Sequence, residues 1–382
     1  MDASKILALY LPQYHEIPEN DAWWGKGFTE WVNVKRAKKL FKWQNQPKKP
    51  LGDNYYDLMN KETVKWQTDL AKKYGVDGFC YFHYYFKGRK ILEKPAENLL
   101  RWKEIDHKFC FFWANVSWRR TWKNCSKEKQ HYTSWSPGED NDSASEGILL
   151  EQTYGTVSDW ETHFDYLLPF FKDDRYIKKD NKPIFFIYKI NDIGCANEMF
   201  SLWNKKALEK GFDGIHLVSV NDEPIGVPEI EAIAHYGFHK AFGKGLLGDI
   251  GQRIINKVKH SMGQLLSINY LKSNVYDYED MWKKIISKEP YGDLPNYPGA
   301  FVNYDDTPRR GIDGFALRNS RPELFRKYMG IQLRRAKAVF KSDYILLDAW
   351  NEWGEGNYLE PDEENKYSFL EALRDAKEEI MK

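Results

Sequence analysis

A single α/β domain, a closed (β/α)8 TIM barrel over residues 1–382 with long loops on its C-terminal face, is the fold this sequence predicts. Three observations carry that prediction. Eight short apolar runs recur along the chain, most of them are continuous rather than alternating, and amphipathic helical stretches separate them. Continuous runs are what parallel strands buried on both faces require. Strand–helix alternation over the whole length, with that number of strands, favours a closed barrel over an open sheet.

The strand-like runs fall at 6–10, 78–84, 108–113, 183–188, 214–219, 232–236, 300–302 and 344–350. After the N-cap Asn60, the residues Val64, Trp66, Leu70, Ala71 and Tyr74 lie on one side of a helix that Gly75 ends. Ser158 with Glu161, and Ser320 with Glu323, read as capping boxes that open two further helices. In the second of these Leu324, Tyr328, Ile331, Ala338 and Val339 share a face. The last helix places Phe369, Leu373, Ala376 and Ile380 on one stripe.

Long non-periodic stretches stand at 11–58, 117–155 and 237–273, and compact domains rarely keep such loops without a use. The first two follow strand ends, which in a barrel is the face where active sites are built. The third carries Gly243, Gly245, Gly248 and Gly251 but follows no clear strand and lacks a lysine–hydroxyl ending, so it is not read as a phosphate loop.

With 57 Lys+Arg against 56 Asp+Glu the formal net charge is +1, and no global field draws the chain to nucleic acid or an anionic membrane. No apolar run approaches the roughly 20 residues of a membrane span. Residues 1–5 lead straight into the first strand with no leader-like apolar segment, which predicts a cytoplasmic location. Cys80, Cys110, Cys125 and Cys195 are scattered without CxxC spacing and read as reduced thiols, so neither metal nor other cofactor is expected. Nothing indicates an obligate protein partner. Aromatic residues make up 16% of the chain, many beside Gly, Asn and charged residues. Flat rings next to hydrogen-bonding groups suit a carbohydrate, whose pyranose rings have C–H faces and hydroxyl edges.

The strongest chemical signal is the segment 348–361, Asp348-Ala349-Trp350-Asn351-Glu352-Trp353-Gly354-Glu355-Gly356-Asn357-Tyr358-Leu359-Glu360-Pro361, at the end of the last strand. Cleaving a glycoside takes one carboxyl group to protonate the leaving oxygen and a second to act as base or nucleophile. Glu352 and Glu355 are the natural catalytic pair. In an extended strand they would face opposite ways, so the chain must bend between them, and Gly354 is expected to supply the bend. Trp350, Asn351, Trp353 and Glu360 are expected to contact substrate beside them.

A second cluster follows the first strand: Tyr10, Gln13, Tyr14 and His15, then Trp24, Thr29, Glu30 and Trp31. His83 and Tyr84 end the second strand, and Trp113 and Asn115 the third, leading into Trp118 and Trp122. On barrel geometry these strand ends share one rim, so all are candidates to line a sugar cleft.

Taken together, the blocks 10–15, 24–31, 78–84, 151–155, 306–310 and 351–356 resemble, in order and over nearly the whole chain, the WbsX-type proteins found with bacterial polysaccharide gene clusters, within the glycoside hydrolase family 99-like superfamily. The resemblance implies a (β/α)8 barrel, no metal, and action on mannose-type linkages with retention through a 1,2-anhydro sugar. It assigns Glu352 to deprotonating the sugar 2-hydroxyl and Glu355 to protonating the leaving oxygen and then activating water. The chain departs from the pattern at Val116, where an acidic residue is expected, and over 301–306. The expected function is a glycoside hydrolase of a bacterial polysaccharide or oligosaccharide. The alternatives are a glycosyltransferase or transglycosylase of polysaccharide biosynthesis, and a glycan-binding module without catalysis.

Overall fold

A computed structural model of the protein describes residues 3–119, 147–236 and 274–381. Trp122, Cys125 and the glycines of 237–273 lie outside the described residues. The predicted barrel is present. Its strands are β1 (Lys5–Tyr10), β2 (Gly78–Phe86), β3 (Phe109–Trp113), β4 (Lys182–Ile187), β5 (His216–Val220), β6 (Ile230–Ala234), β7 in two pieces (Asn296–Tyr297 and Gly299–Phe301) and β8 (Tyr344–Asp348). All neighbours are parallel, and β8 returns to pair with β1.

Closure runs through β7. Asn296–Tyr297 pairs with β6 and Gly299–Phe301 with β8, so the strand changes partner at Pro298, whose carbonyl accepts from Leu346 N. Gly299 lets the two sides meet: a Cβ there would stand 2.1 Å from the His235 carbonyl oxygen.

Helices cover the outside: α1 (Pro18–Trp24), α2 (Glu30–Arg36), α3 (Lys61–Lys73), α4 (Lys94–Arg101), α5 (Val157–Lys172), α6 (Ala196–Glu209), α7 (Tyr278–Ile286), α8 (Thr307–Arg310), α9 (Pro322–Ala338) and α10 (Ser368–Met381). The β5–β6 connection, residues 221–229, contains no helix. Asn60 does cap α3, accepting from Glu62 N. The other two caps differ from expectation. The capping box of α5 is Thr156 with Asp159, and α9 starts after Arg321 with a proline in its first turn and no side-chain cap. The buried face of α9 is Phe325, Tyr328, Met329, Leu333 and Ala336, while Ala338 is exposed. No helix of the described residues is long and apolar enough to cross a membrane.

Strand alternation splits the aromatics into two layers. Phe112 meets Phe82, Phe186 and Tyr236 across the barrel interior. Its neighbour Trp113 points the other way, against His163 of α5 and Trp203 of α6. Each such large apolar side chain, fully buried, contributes roughly 1.5–3 kcal/mol.

Candidate active site

At the end of β8 the chain makes a small hairpin: Asn351–Glu352 pairs antiparallel with Asn357–Tyr358 around a tight turn at Trp353–Glu355. Glu352 ends the first arm and Glu355 sits in the turn. The left-handed residue of this turn is Gly356, at φ 57°, not Gly354. Gly354 is required for a different reason, since a Cβ on it would lie 1.8 Å from Glu30 Oε1 and 2.8 Å from Arg309 Nε.

Those two contacts identify the centre of the site. The Arg309 guanidinium is buried and meets three carboxylates: Nε donates to Glu30 Oε1 at 2.8 Å, Nη2 to Glu352 Oε2 at 3.2 Å and Nη1 to Glu355 Oε1 at 2.5 Å. Two nitrogens of one cation therefore hold Glu352 and Glu355 side by side. The Glu352 side chain is 3% exposed and that of Glu355 16%, so Glu355 is the one a ligand reaches more readily. Burial, then the Glu355 charge, holds the Glu352 carboxyl well above the ordinary range, with Arg309 acting in the opposite sense. Burial and Glu355 likewise hold Asp348 well above it. The turn carrying Arg309 is tied to the hairpin, for Asp305 N donates to the Glu355 carbonyl at 2.6 Å.

Beside Glu30 and Arg309 lies a narrow cleft lined by Gln13, Trp24, Phe28 and Trp118. A family model described as Glycosyltransferase WbsX matches residues 6–373. The chain belongs to this family. This WbsX-family chain is also 29% identical over 374 residues to the uncharacterized protein WxcX of two strains of Xanthomonas campestris pv. campestris, covering 97% of this chain and 49% of those proteins. It thus spans about half the length of the curated relatives it matches. Its fold is similar to that of a glycoside hydrolase-like protein, with a TM-score of 0.54 at 12% identity over 98% of this chain and 94% of the other. A GH99 endo-alpha-mannosidase from Bacteroides thetaiotaomicron gives the same score and identity over 100% and 98%.

Tyrosines from several strand ends and loops lie within electrostatic reach of the site carboxylates. Tyr14 donates to the Asn351 carbonyl and accepts from Trp353 N at 3.2 Å. Tyr84, Tyr236 and Tyr304 are held well above the ordinary tyrosine range by burial first, with Glu352 or Glu355 among the further causes, and Tyr188 is raised in the same way. All keep their protons and are hydrogen-bond donors or acceptors. Sequence reasoning missed Arg309, Tyr188, Tyr236 and Tyr304 as site residues. The two strand runs at 183–188 and 232–236 did end on Tyr188 and Tyr236, which was the signal for those two.

Other candidates face elsewhere, and the structure corrects their assignment to a cleft wall. Tyr10 OH donates to Gln67 Oε1 of α3 at 2.6 Å, and Gln67 in turn donates to Glu360 at 2.6 Å. Glu360 also accepts from Tyr56 OH at 2.8 Å and Trp353 Nε1 at 2.6 Å, which makes it the hub of a buried network. Trp353 stacks on Tyr358, Trp31 donates to the Tyr56 carbonyl, and Trp350 packs on Phe79. His83 meets His163 of α5 with Nε2 to Nε2 at 2.8 Å, and burial pushes it down to about 3, so it is a neutral packing residue. Trp113 lies in the same outer layer. Asn115 donates to Tyr154 OH and accepts from Lys189 N, and Asn351 accepts from Leu11 N, each pinning neighbouring loops together. His15 is buried with Nδ1 on the Pro12 carbonyl, and Thr29 stands at the N-cap of α2. Among the described residues no group of three or more His, Cys, Asp or Glu side chains is arranged to hold a metal ion.

Proposed function

We propose that this chain is a carbohydrate-active enzyme that cleaves a glycosidic bond, with Glu352 and Glu355 as its catalytic pair. The observation that carries the reading is the pairing of both carboxylates on one buried guanidinium at the end of β8, beside an aromatic cleft. Glycosidases need two carboxyl groups flanking the bond, one of them protonated. In the reaction we assign, Glu352 takes the proton of the sugar 2-hydroxyl while that oxygen attacks the anomeric carbon. Glu355 gives its proton to the departing oxygen, leaving a 1,2-anhydro sugar. Water then opens the anhydro ring, its proton passing to Glu355, and Glu352 returns the proton to O2. A carboxyl held above its ordinary range is a stronger base once ionised, which suits Glu352 for an alcohol proton. The substrate class we assign is a mannose-type linkage in a bacterial polysaccharide or oligosaccharide, supported by the likeness in fold to an endo-alpha-mannosidase.

One observation favours a second reading, transfer from an activated sugar, because the family's description is that of a glycosyltransferase. The close acidic pairs of the chain are engaged within the protein: Asp173 is bound by Arg175 at 2.8 Å, and Asp305 by Gln44, Gln46 and Thr307. The test incubates the protein, Glu352→Gln and Glu355→Gln with mannose- and rhamnose-based oligosaccharides and bacterial polysaccharides, with and without nucleotide-sugars, and follows products by mass spectrometry. Shortened glycans formed without donor, by wild type alone, are the expected result. Extension that needs the donor contradicts it, and absence of any product from wild type leaves glycan binding as the reading.

A further inference from the structure

Glu30 is outside the pair assigned above, yet it is as buried as Glu352. Its Oε1 takes the one guanidinium nitrogen of Arg309 that faces neither Glu352 nor Glu355. A guanidinium is planar, so fixing Nε fixes where both η nitrogens point. Glu30 is itself anchored, with Asn33 Nδ2 donating to the same oxygen at 3.4 Å and its own N–H donating to the Gln13 carbonyl at 3.0 Å. From the other side the backbone of Gly354 closes on the carboxylate so tightly that no Cβ fits. The glycine between the two glutamates is therefore explained by Glu30.

Charge adds a second argument. Three ionised carboxylates on one guanidinium leave two negative charges uncompensated in a place largely closed to water. Like charge at short range favours the protonated form of Glu352, which Glu355, Asp348 and Glu30 all face.

We propose that Glu30 is a positioning residue for the reaction assigned to Glu352 and Glu355: it orients the Arg309 guanidinium between them and adds its charge to those of Glu355 and Asp348 around Glu352. The proposal rests on reading those two as the catalytic pair. Because Glu30 acts through Arg309, removing its charge while keeping its oxygen should leave the pair in place and change how it titrates.

The test is a pH titration by NMR of protein carrying side-chain 13C-labelled glutamate, with Glu352→Gln used to assign the Glu352 resonance. In Glu30→Gln the Glu352 resonance is expected to titrate lower, by about one pH unit, since one negative neighbour is gone. Gly354→Ala, whose methyl group would crowd both Glu30 Oε1 and Arg309 Nε, is expected to move the Glu352 titration by a second route. A Glu352 resonance that titrates as in wild type in either folded variant overturns the proposal. This readout needs no substrate, so it fails or succeeds separately from the glycosidase reading. With a cleaved glycan in hand, the acid limb of kcat against pH moves down in Glu30→Gln, whereas a structural role leaves its position unchanged.

Discussion

Arg309 concentrates the chemistry because it is the shared partner of three carboxylates from two distant parts of the chain. Removing it leaves those carboxylates buried without a cation, so Arg309→Ala is expected to lose roughly 3–5 kcal/mol of stability at pH 8 in urea unfolding. The loss should shrink toward pH 5 as the carboxylates take up protons. If Glu352 acts as base, activity must rise with pH through its raised pKa, which places the acid limb of the rate profile above that of an ordinary glutamate near 4.3. A limb at or below about 4.3 contradicts the assigned role. Glu360 gives a separate prediction. Burial raises it to about 7, so the folded state holds this proton more tightly than the unfolded chain. Its contribution is full below about pH 4 and lost as pH rises through 7. Glu360→Gln should flatten that decline in denaturant unfolding, and Asp306, also raised to about 7 by burial, keeps part of it. At this scale sequence reading points to Glu352 and Glu355 as candidates, because their motif is local. It did not find Arg309, because a role set by contacts from residues 30, 352 and 355 has no local signature.

Among the elements, the strands were legible because a parallel strand buried on both faces must be continuously apolar, and each predicted run overlaps a barrel strand. The same continuity hides which face each residue takes. In β2, His83 turns out to α5 while Tyr84 turns toward the carboxylates, and no polar alternation marks the difference. That is why His83, Trp113 and Tyr10 look like rim residues in the sequence. Helix caps were less legible: Thr156 with Asp159 and Ser158 with Glu161 fit the same pattern two residues apart, and only the structure separates them. The element on which closure depends is β7. Gly299→Ala would drive a methyl group into the His235 carbonyl at 2.1 Å, so it should cost several kcal/mol in chemical denaturation and unpair Asn296–Tyr297 from β6 in hydrogen exchange. A Gly299→Ala protein as stable as wild type contradicts the closure described.

For the whole molecule, the barrel collects strand ends onto one rim, and the hairpin after β8, the turn after β7 and α2 after β1 converge there on a single guanidinium. Convergence of this kind follows from topology, which is why a fold read from apolar periodicity also points to the face where a candidate site is sought. Glycoside cleavage by Glu352 and Glu355 on that face is open to a direct test by oxygen incorporation. A glycan found to be shortened is digested in 18O-labelled water by wild type and by Glu355→Gln, and the new ends are analysed by mass spectrometry and anomeric NMR. The expected result is one 18O at the anomeric carbon of each new reducing end, the starting anomeric configuration at early times, and no release by Glu355→Gln. Products without 18O, formed only when a nucleotide-sugar is present, would contradict it and make the protein a transferase.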